Sequence, residues 1–167
     1  TRLDFDRRIE LLDGFIDRTL SVAEEQVAEA CRHKGLERGT AEEAEEWLGG
    51  PIPTLRTARA IRGTLEDLRA GNTPVTTKET RRRDENSLAV SVFPQGLSDR
   101  LVYTGFSAEV WLDSEVDRST LSEHIASFYQ QSDPPGRVGV VLGAGNVSRI
   151  PPLDLLDKLF IDGSAAS

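Results

Sequence analysis

Hydrophobic residues recur at helical spacing through the N-terminal part of the chain. Within residues 5–30 the apolar positions follow one another in steps of three or four, which predicts a long amphipathic helix ending at Gly35. Residues 40–48 begin with capping-box spacing and predict a second, short helix. The sequence Gly49-Gly50-Pro51 ends it, and a third helix is predicted over about residues 54–70.

After Pro74 the period changes from helical to alternating. Residues 75–83 and 87–93 predict the two strands of a β-ribbon, with a turn between them, and residues 108–112 predict a further short strand. Residues 120–129 again begin with capping-box spacing and predict a helix.

The pattern of apolar and polar residues changes again after residue 131. Residues 132–137, Ser-Asp-Pro-Pro-Gly-Arg, resemble a linker. The uninterrupted apolar run Val138–Leu142 predicts a strand buried on both faces, as in a parallel sheet. A glycine-containing turn and a helix over residues 150–160 follow. The pattern therefore predicts an α/β protein with three regions: helices in 1–74, a ribbon, strand and helix in 75–131, and the start of an α/β domain in 132–167.

Composition and charge exclude several classes of protein. Of the 167 residues, 38% are hydrophobic and 29% are charged, which is ordinary for a globular domain. The apolar runs are far shorter than the roughly 20 residues that cross a bilayer, and the N-terminus lacks a secretory pattern, so we expect a cytoplasmic protein without a membrane partner. The net charge is −8, and no aromatic residues interleave with the one basic cluster, Arg81-Arg82-Arg83. A nucleic-acid partner is therefore not expected.

The metal-binding and nucleophilic residue types are scarce. Cys31 is the single cysteine, and His33 and His124 are the two histidines. Their spacing matches no zinc motif, so no metal site is predicted. Because Cys31 borders the apolar stripe of the first helix, it is interpreted as a buried structural residue.

The loop after the apolar run carries the candidate chemistry. Gly143-x-Gly145-x-x-Ser148 approaches a dinucleotide-binding fingerprint but lacks the third glycine. Asn146 offers a neutral amide donor at the carboxyl end of a predicted strand, which suits an oxyanion hole. From spacing alone, Asn146 could instead adopt a left-handed turn or cap the next helix, and both alternatives stay open at this point.

The run Arg137–Phe160 resembles the start of the nucleotide-binding domain in the aldehyde dehydrogenase superfamily, including its acyl-CoA reductase branch. In most members a strand there ends in Pro-Trp-Asn or Pro-Phe-Asn, and this chain keeps the asparagine in Ala144-Gly145-Asn146. The resemblance implies that Asn146 stabilises the oxyanion and that Leu142 and Gly143 offer main-chain contacts to the cofactor ribose. Gly145 takes the place of the aromatic residue in the same cofactor-binding turn. Residues 93–106 and 108–112 are similar to a bacterial subgroup of that superfamily.

The resemblance implies the first strand-loop-helix unit of a doubly wound nucleotide-binding sheet. It also implies NAD or NADP as cofactor and an aldehyde or acyl thioester as substrate. A homo-oligomer is expected as well, because a parallel strand without neighbours exposes both apolar faces and both hydrogen-bonding edges. In that superfamily the nucleophilic cysteine and general-base glutamate lie further along than residue 167. The chain is therefore expected to be the N-terminal portion of a longer oxidoreductase and to be inactive alone. The alternative is a noncatalytic, acidic helical module that binds a protein partner.

Overall fold

The computed structural model describes residues 3–74, 80–82, 87–143 and 147–166. The chain divides into two compact units. Unit 1 combines Thr1–Gly71 with Asp133–Ser167, and unit 2 is Asn72–Ser132. Both helices and strands are present, so the protein is of mixed α and β class. In the described part of the chain, no helix is long and apolar enough to span a membrane.

Unit 1 is built on three helices, α1 (Phe5–Lys34), α2 (Ala41–Leu48) and α3 (Pro51–Arg69). The Asp4 carboxylate caps α1 by accepting a hydrogen bond from the Arg7 amide at 2.8 Å. Gly35 ends the helix at φ 69°, a left-handed conformation that favours glycine. The predicted long helix and its glycine stop are therefore confirmed, and the helix continues one turn beyond Ala30.

The core of unit 1 lies mainly between α1 and α3. Its fully buried members come from the predicted apolar stripes of both helices, and they include Leu12, Val27, Cys31, Ala58 and Leu65. A buried arginine, Arg8, connects α1 to the C-terminal segment because its Nη1 donates to the Leu159 carbonyl at 3.0 Å. Apolar packing and this hydrogen bond together hold residues 133–166 against the N-terminal helices.

The predicted capping box before α2 is not formed as expected. Thr40 Oγ1 donates to the Glu37 carbonyl at 2.8 Å instead of capping the helix. The Glu43 carboxylate accepts from the Gly39 amide at 2.5 Å and from Arg38 Nε at 2.8 Å. The hydrogen bond from the Gly39 amide and the neighbouring Arg38 guanidinium lower the pKa of Glu43, and the Gly39 hydrogen bond is the largest cause. Glu43 thus closes the turn before α2 one residue earlier than the motif implies.

Unit 2 contains an antiparallel sheet in the order β1 (Thr80–Arg82), β2 (Leu88–Phe93) and β3 (Ala108–Trp111). The predicted ribbon and third strand are confirmed where the structure describes them, with Val90 opposite Thr80 on one side and Val110 on the other. The turn at 84–86 and residues 75–79 lie outside the described residues. Buried Val90, Val116 and Leu121 form the small core of this unit.

An exposed ion pair joins the two outer strands of this sheet. Arg81 donates from Nε and Nη2 to the two carboxylate oxygens of Glu109 at 2.6 and 2.5 Å. This bidentate bond lowers the pKa of Glu109 and raises that of Arg81.

The helices of unit 2 depart from the sequence pattern. A short helix, α4 (Leu97–Val102), was not predicted, and it exposes most of Leu97, Leu101 and Val102. The single helix predicted from Thr120 is wrong, because two four-residue turns, α5 (Leu121–His124) and α6 (Ser127–Gln130), replace it. Between them Ala126 has φ 52°, a left-handed conformation that interrupts a right-handed helix.

The C-terminal segment of unit 1 forms β4 (Val138–Gly139), α7 (Ile150–Leu156), a π-helix (Asp157–Ile161) and β5 (Ala165–Ala166). Strands β4 and β5 are parallel, with Val138 opposite Ala165 and Gly139 opposite Ala166. The sequence pattern predicts the first strand and the helix but stops before β5. A short parallel strand therefore returns beside β4 after one helical crossover.

The burial of Cys31 leads to a first test. Its exposed fraction is 0%, and it lies free on the inner face of α1. We expect a thiol reagent to label the folded chain more than about a hundredfold more slowly than the urea-unfolded chain, because labelling requires local opening. Stopped-flow absorbance measures both rates. Labelling of the folded chain at the unfolded rate would show that Cys31 is not part of a stable core.

Candidate functional site

The candidate site is the loop that connects β4 to α7, at the carboxyl end of a parallel strand. This position is where open α/β sheets bind ligands. Of the predicted site residues, Leu142 and Gly143 lie in the described part of the loop and are exposed. Gly145 and Asn146 lie outside the described residues. The cofactor-binding and oxyanion assignments therefore stay predictions.

The strand that leads into the loop is shorter and more exposed than predicted. The pattern predicts five strand residues buried on both faces, whereas β4 has two residues, and the exposed fractions of Val138, Val140 and Leu142 are 75%, 70% and 84%. Gly139 and Val141, which alternate with them, are half-buried. The prediction of burial on both faces is wrong, because within the described residues only one side of the segment is covered.

The π-helix Asp157–Ile161 covers that side through Lys158. A Cβ added to Gly139 would lie 3.2 Å from Lys158 Cδ, so the lysine stem packs directly on the strand backbone. The Lys158 ammonium donates to Asp162 at 2.5 Å and to Asp157 at 3.0 Å. These two bonds raise the pKa of Lys158 to about 12, with Asp162 as the largest cause. The lysine is thus oriented along the π-helix and is not a poised base at neutral pH.

The start of the loop is fixed by a close approach between Gly143 and Pro151. A Cβ on Gly143 would lie 2.9 Å from Pro151 Cγ, closer than side chains tolerate. Pro151 stands in the first turn of α7, where proline is accommodated. Gly143 therefore has a packing reason to be glycine that is independent of any cofactor.

The end of the loop is fixed by a contact that sequence reasoning missed. The Arg149 amide donates to the Gly49 carbonyl at 3.2 Å, and Arg149 Nη1 donates to the Leu48 carbonyl at 3.3 Å. A Cβ on Gly50 would lie 2.7 Å from Ser148 Oγ and 2.8 Å from the Glu46 carbonyl oxygen. In the sequence, Gly49-Gly50-Pro51 indicates only the end of a helix. No sequence signal predicts its contact with residues about a hundred positions later.

Other groups capable of catalysis are distant from the loop in the chain or already paired. His33 Nε2 lies 2.9 Å from a Glu29 carboxylate oxygen on the exposed side of α1, and Cys31 is buried on the opposite, inner face. His124 is exposed in unit 2. The described residues contain no group of three or more His, Cys, Asp or Glu side chains that could hold a metal ion. The chemistry predicted for the loop is main-chain hydrogen bonding, with Asn146 as the side-chain donor.

The approach of Gly143 to Pro151 gives a second test. Gly143→Ala should lower the free energy of unfolding by about 1 to 3 kcal/mol, because the added methyl group must displace the proline ring or the loop. Gly136→Ala is the matched control, since a Cβ there meets nothing within 4 Å, and its effect should stay within about 0.5 kcal/mol. Urea unfolding measures both. Equal stabilities for the two variants would contradict the described packing of the loop.

Comparisons with protein-family models, with curated proteins and with solved structures find no match for this chain.

Proposed function

We propose that this chain is the N-terminal portion of an NAD(P)-dependent oxidoreductase of the aldehyde dehydrogenase or acyl-CoA reductase type. The observation that carries the proposal is the β4–α7–β5 crossover, a parallel pair of strands joined through a helix, with a glycine-containing loop after the first strand. Such a unit is the repeating element of doubly wound nucleotide-binding sheets. The resemblance of residues 137–160 to that superfamily supplies the reaction class.

The exposure of the described part of the loop supports dinucleotide binding. Leu142 and Gly143 are exposed, so a ligand can reach their main-chain groups at the carboxyl end of β4. In this proposal, the two-residue ladder of β4 and β5 would form one wall of the binding crevice. In the proposed longer enzyme, further parallel strands would provide the other wall and cover Val138, Val140 and Leu142.

The role proposed for Asn146 follows from the charge that develops during the reaction. A cysteine thiolate from the rest of the enzyme would add to the carbonyl carbon of an aldehyde or acyl thioester, and the carbonyl oxygen would gain negative charge. The Asn146 amide would donate a hydrogen bond to that oxygen. The cofactor, when bound, would accept a hydride in aldehyde oxidation or donate one in thioester reduction.

The proposal is tested by assaying the longer protein as its gene encodes it. Purified protein is mixed with NAD or NADP plus acetaldehyde or octanal, and with NADH or NADPH plus acetyl-CoA or octanoyl-CoA. Absorbance at the reduced nicotinamide band is expected to change in at least one pair, and to require both substrate and cofactor. No change in any pair, with folded protein, would contradict the proposal.

A second candidate is the noncatalytic interaction module. The observation that favours it is the surface of unit 2, where the exposed fractions of Leu97, Leu101, Val102 and Phe106 are each above 70%. Exposed apolar clusters of this kind mark interaction sites. The same assay separates the two functions, because a module of this kind would show no substrate-dependent oxidation or reduction.

A further inference from the structure

The last helix of unit 1 ends in a turn that is wider than an α-helical turn. The π-helix Asp157–Ile161 is closed by the Asp162 amide, which donates to the Asp157 carbonyl at 2.9 Å. The Ser164 amide then donates to the Lys158 carbonyl, six residues back, at 2.7 Å. Because π-helical turns are rare, the extra residue in this turn calls for a local cause.

The end of α1, in the same unit, shows the ordinary arrangement for comparison. Gly35 has φ 69°, and the amide of Leu36, the next residue, donates to the Cys31 carbonyl at 2.9 Å, five residues back. This bond is the one that closes a Schellman motif, in which a left-handed glycine ends an α-helix. The chain therefore forms the standard ending where nothing competes with it for the acceptor.

The same rule applied to the π-helix indicates a different acceptor from the one observed. Gly163 has φ 67°, the left-handed conformation that Gly35 has after α1. A Schellman motif with this glycine would join the Ser164 amide to the Leu159 carbonyl, five residues back. The observed bond goes to Lys158, one residue further back. The final turn is thus wider by one residue than the motif that its glycine favours.

The Leu159 carbonyl, which that motif would use, accepts a hydrogen bond from Arg8. Arg8 Nη1 donates to it at 3.0 Å, and Arg8 Nε donates to the Leu3 carbonyl at 3.2 Å. The arginine is buried, with an exposed fraction of 6%. A buried guanidinium that loses an acceptor is left with the cost of its desolvation, so the bond to Leu159 is strongly favoured.

We propose that Arg8 holds the last helix in the π-helical register by occupying the Leu159 carbonyl. The Ser164 amide then closes on Lys158, and the turn takes in one extra residue. Without Arg8, the Leu159 carbonyl would accept from Ser164, and the helix would end in the α-helical register. The first turn of α1 thus controls how a helix ends about 150 residues later in the chain.

The register has a consequence for the parallel strands because β5 follows directly. Ser164 precedes Ala165–Ala166, which pair with Val138–Gly139. A shift of the closing bond by one residue displaces β5 relative to β4, and a slip of one residue turns side chains to the opposite face. Since the ladder has only two residue pairs, we expect such a slip to break it. Arg8 is therefore part of a conformational device that couples the start of α1 to the strand pair, and nothing in this coupling depends on the proposed function.

The hydrogen-bond register can be measured directly by nuclear magnetic resonance. In the chain labelled with ¹⁵N and ¹³C, scalar couplings across hydrogen bonds join each amide nitrogen to the carbonyl carbon that accepts from it. In wild type we expect the Asp162 amide to couple to the Asp157 carbonyl and the Ser164 amide to the Lys158 carbonyl. Coupling of the Asp162 amide to Lys158 in wild type would show an α-helical register and overturn the proposal.

The role of Arg8 is tested by Arg8→Met, which keeps a long apolar stem but donates no hydrogen bond. The Asp162 amide should then couple to the Lys158 carbonyl, and the Ser164 amide to the Leu159 carbonyl. Nuclear Overhauser contacts between the backbones of β4 and β5 should be lost. If Arg8→Met does not fold, Arg8→Lys takes its place. The same changes are expected, because a single ammonium nitrogen cannot reproduce the two-armed contact of the guanidinium.

The matched control is Arg7→Met, at the exposed neighbouring position of α1, where the side chain pairs with Glu10. Its couplings and its contacts between β4 and β5 should equal those of wild type. Unchanged acceptors in the Arg8 variant that folds would overturn the proposal. The same change of acceptors in Arg7→Met would also overturn it, because the effect would then not be specific to the bond with Leu159.

Discussion

Replacing Asn146 with alanine is expected to lower kcat of the proposed longer enzyme by about 10² to 10³, as the loss of one oxyanion donor typically does. In the proposed mechanism the amide would donate to charge that develops on the carbonyl oxygen during the reaction, so KM should change little. The free energy of unfolding should also change little. The packing of Gly143 on Pro151 and the hydrogen bonds of Arg149, at the two ends of the loop, remain. Steady-state kinetics with the active substrate and urea unfolding measure the two effects.

The matched control is Asn72→Ala, which removes an exposed asparagine that follows α3. Its kcat should equal that of wild type. If Asn146→Ala also retains activity within about threefold, the oxyanion role is wrong. Asn146 would then act only as a turn or cap residue, an alternative that the sequence leaves open.

The isolated 167-residue chain is expected to have no dehydrogenase activity and to bind NAD or NADP no tighter than about 1 mM, or about −4 kcal/mol. A doubly wound site holds a dinucleotide between neighbouring strand-loop units, and the described residues supply one such unit. The parallel ladder of β4 and β5 spans only two residue pairs, which gives the loop little support against a ligand. Calorimetry with each cofactor measures the affinity.

The same chain is expected to self-associate through the segment that follows the linker. Val138, Val140 and Leu142 expose an apolar surface along an extended backbone, and such surfaces pair with other chains. Val140→Asp should shift sedimentation towards monomer, whereas Val22→Asp, at an exposed position of α1, should not. Micromolar cofactor binding by a monomer would contradict both parts of this prediction.

Elements with a strong local signal could be predicted from the sequence. The apolar stripe of α1 repeats over residues 5–30, and Gly35 supplies the left-handed residue that stops the helix, so both followed from local rules. The β-ribbon followed from alternation at Leu88, Val90 and Val92. In each case the residues that determine the element lie within it or next to it.

Features that depend on which of several nearby groups forms a hydrogen bond could not be predicted. The capping-box spacing at Thr40 is present, yet the hydroxyl donates to Glu37 and the Glu43 carboxylate binds Gly39 and Arg38. At residues 120–129 the spacing suggested one helix, while Asp117 accepts hydrogen bonds from the amides of Ser119 and Thr120 and the chain breaks at Ala126. At such positions competing local hydrogen bonds determine the backbone structure, and residue spacing alone does not show which of these bonds forms.

The candidate site shows the same limit over a longer distance. The presence of a strand at Val138 and of a helix from Ile150 was predictable from residues 138–160, whereas the length and burial of that strand were not. The contact between Gly50 and Ser148 joins segments about a hundred residues apart. In the sequence, Gly50 indicates only the end of a helix. Only the folded arrangement reveals that the lack of a Cβ there lets Ser148 and the Glu46 carbonyl approach.

The central claim, that this chain begins a thioester- or aldehyde-converting enzyme, is tested most directly by intact-mass spectrometry of the native protein after incubation with octanoyl-CoA in the absence of cofactor. Attack by the catalytic cysteine thiolate would form an octanoyl thioester and release CoA as its thiol. The account predicts a native mass well above that of these 167 residues, with one octanoyl adduct on a cysteine other than Cys31. A native mass equal to that of the 167 residues, with no adduct, would contradict it.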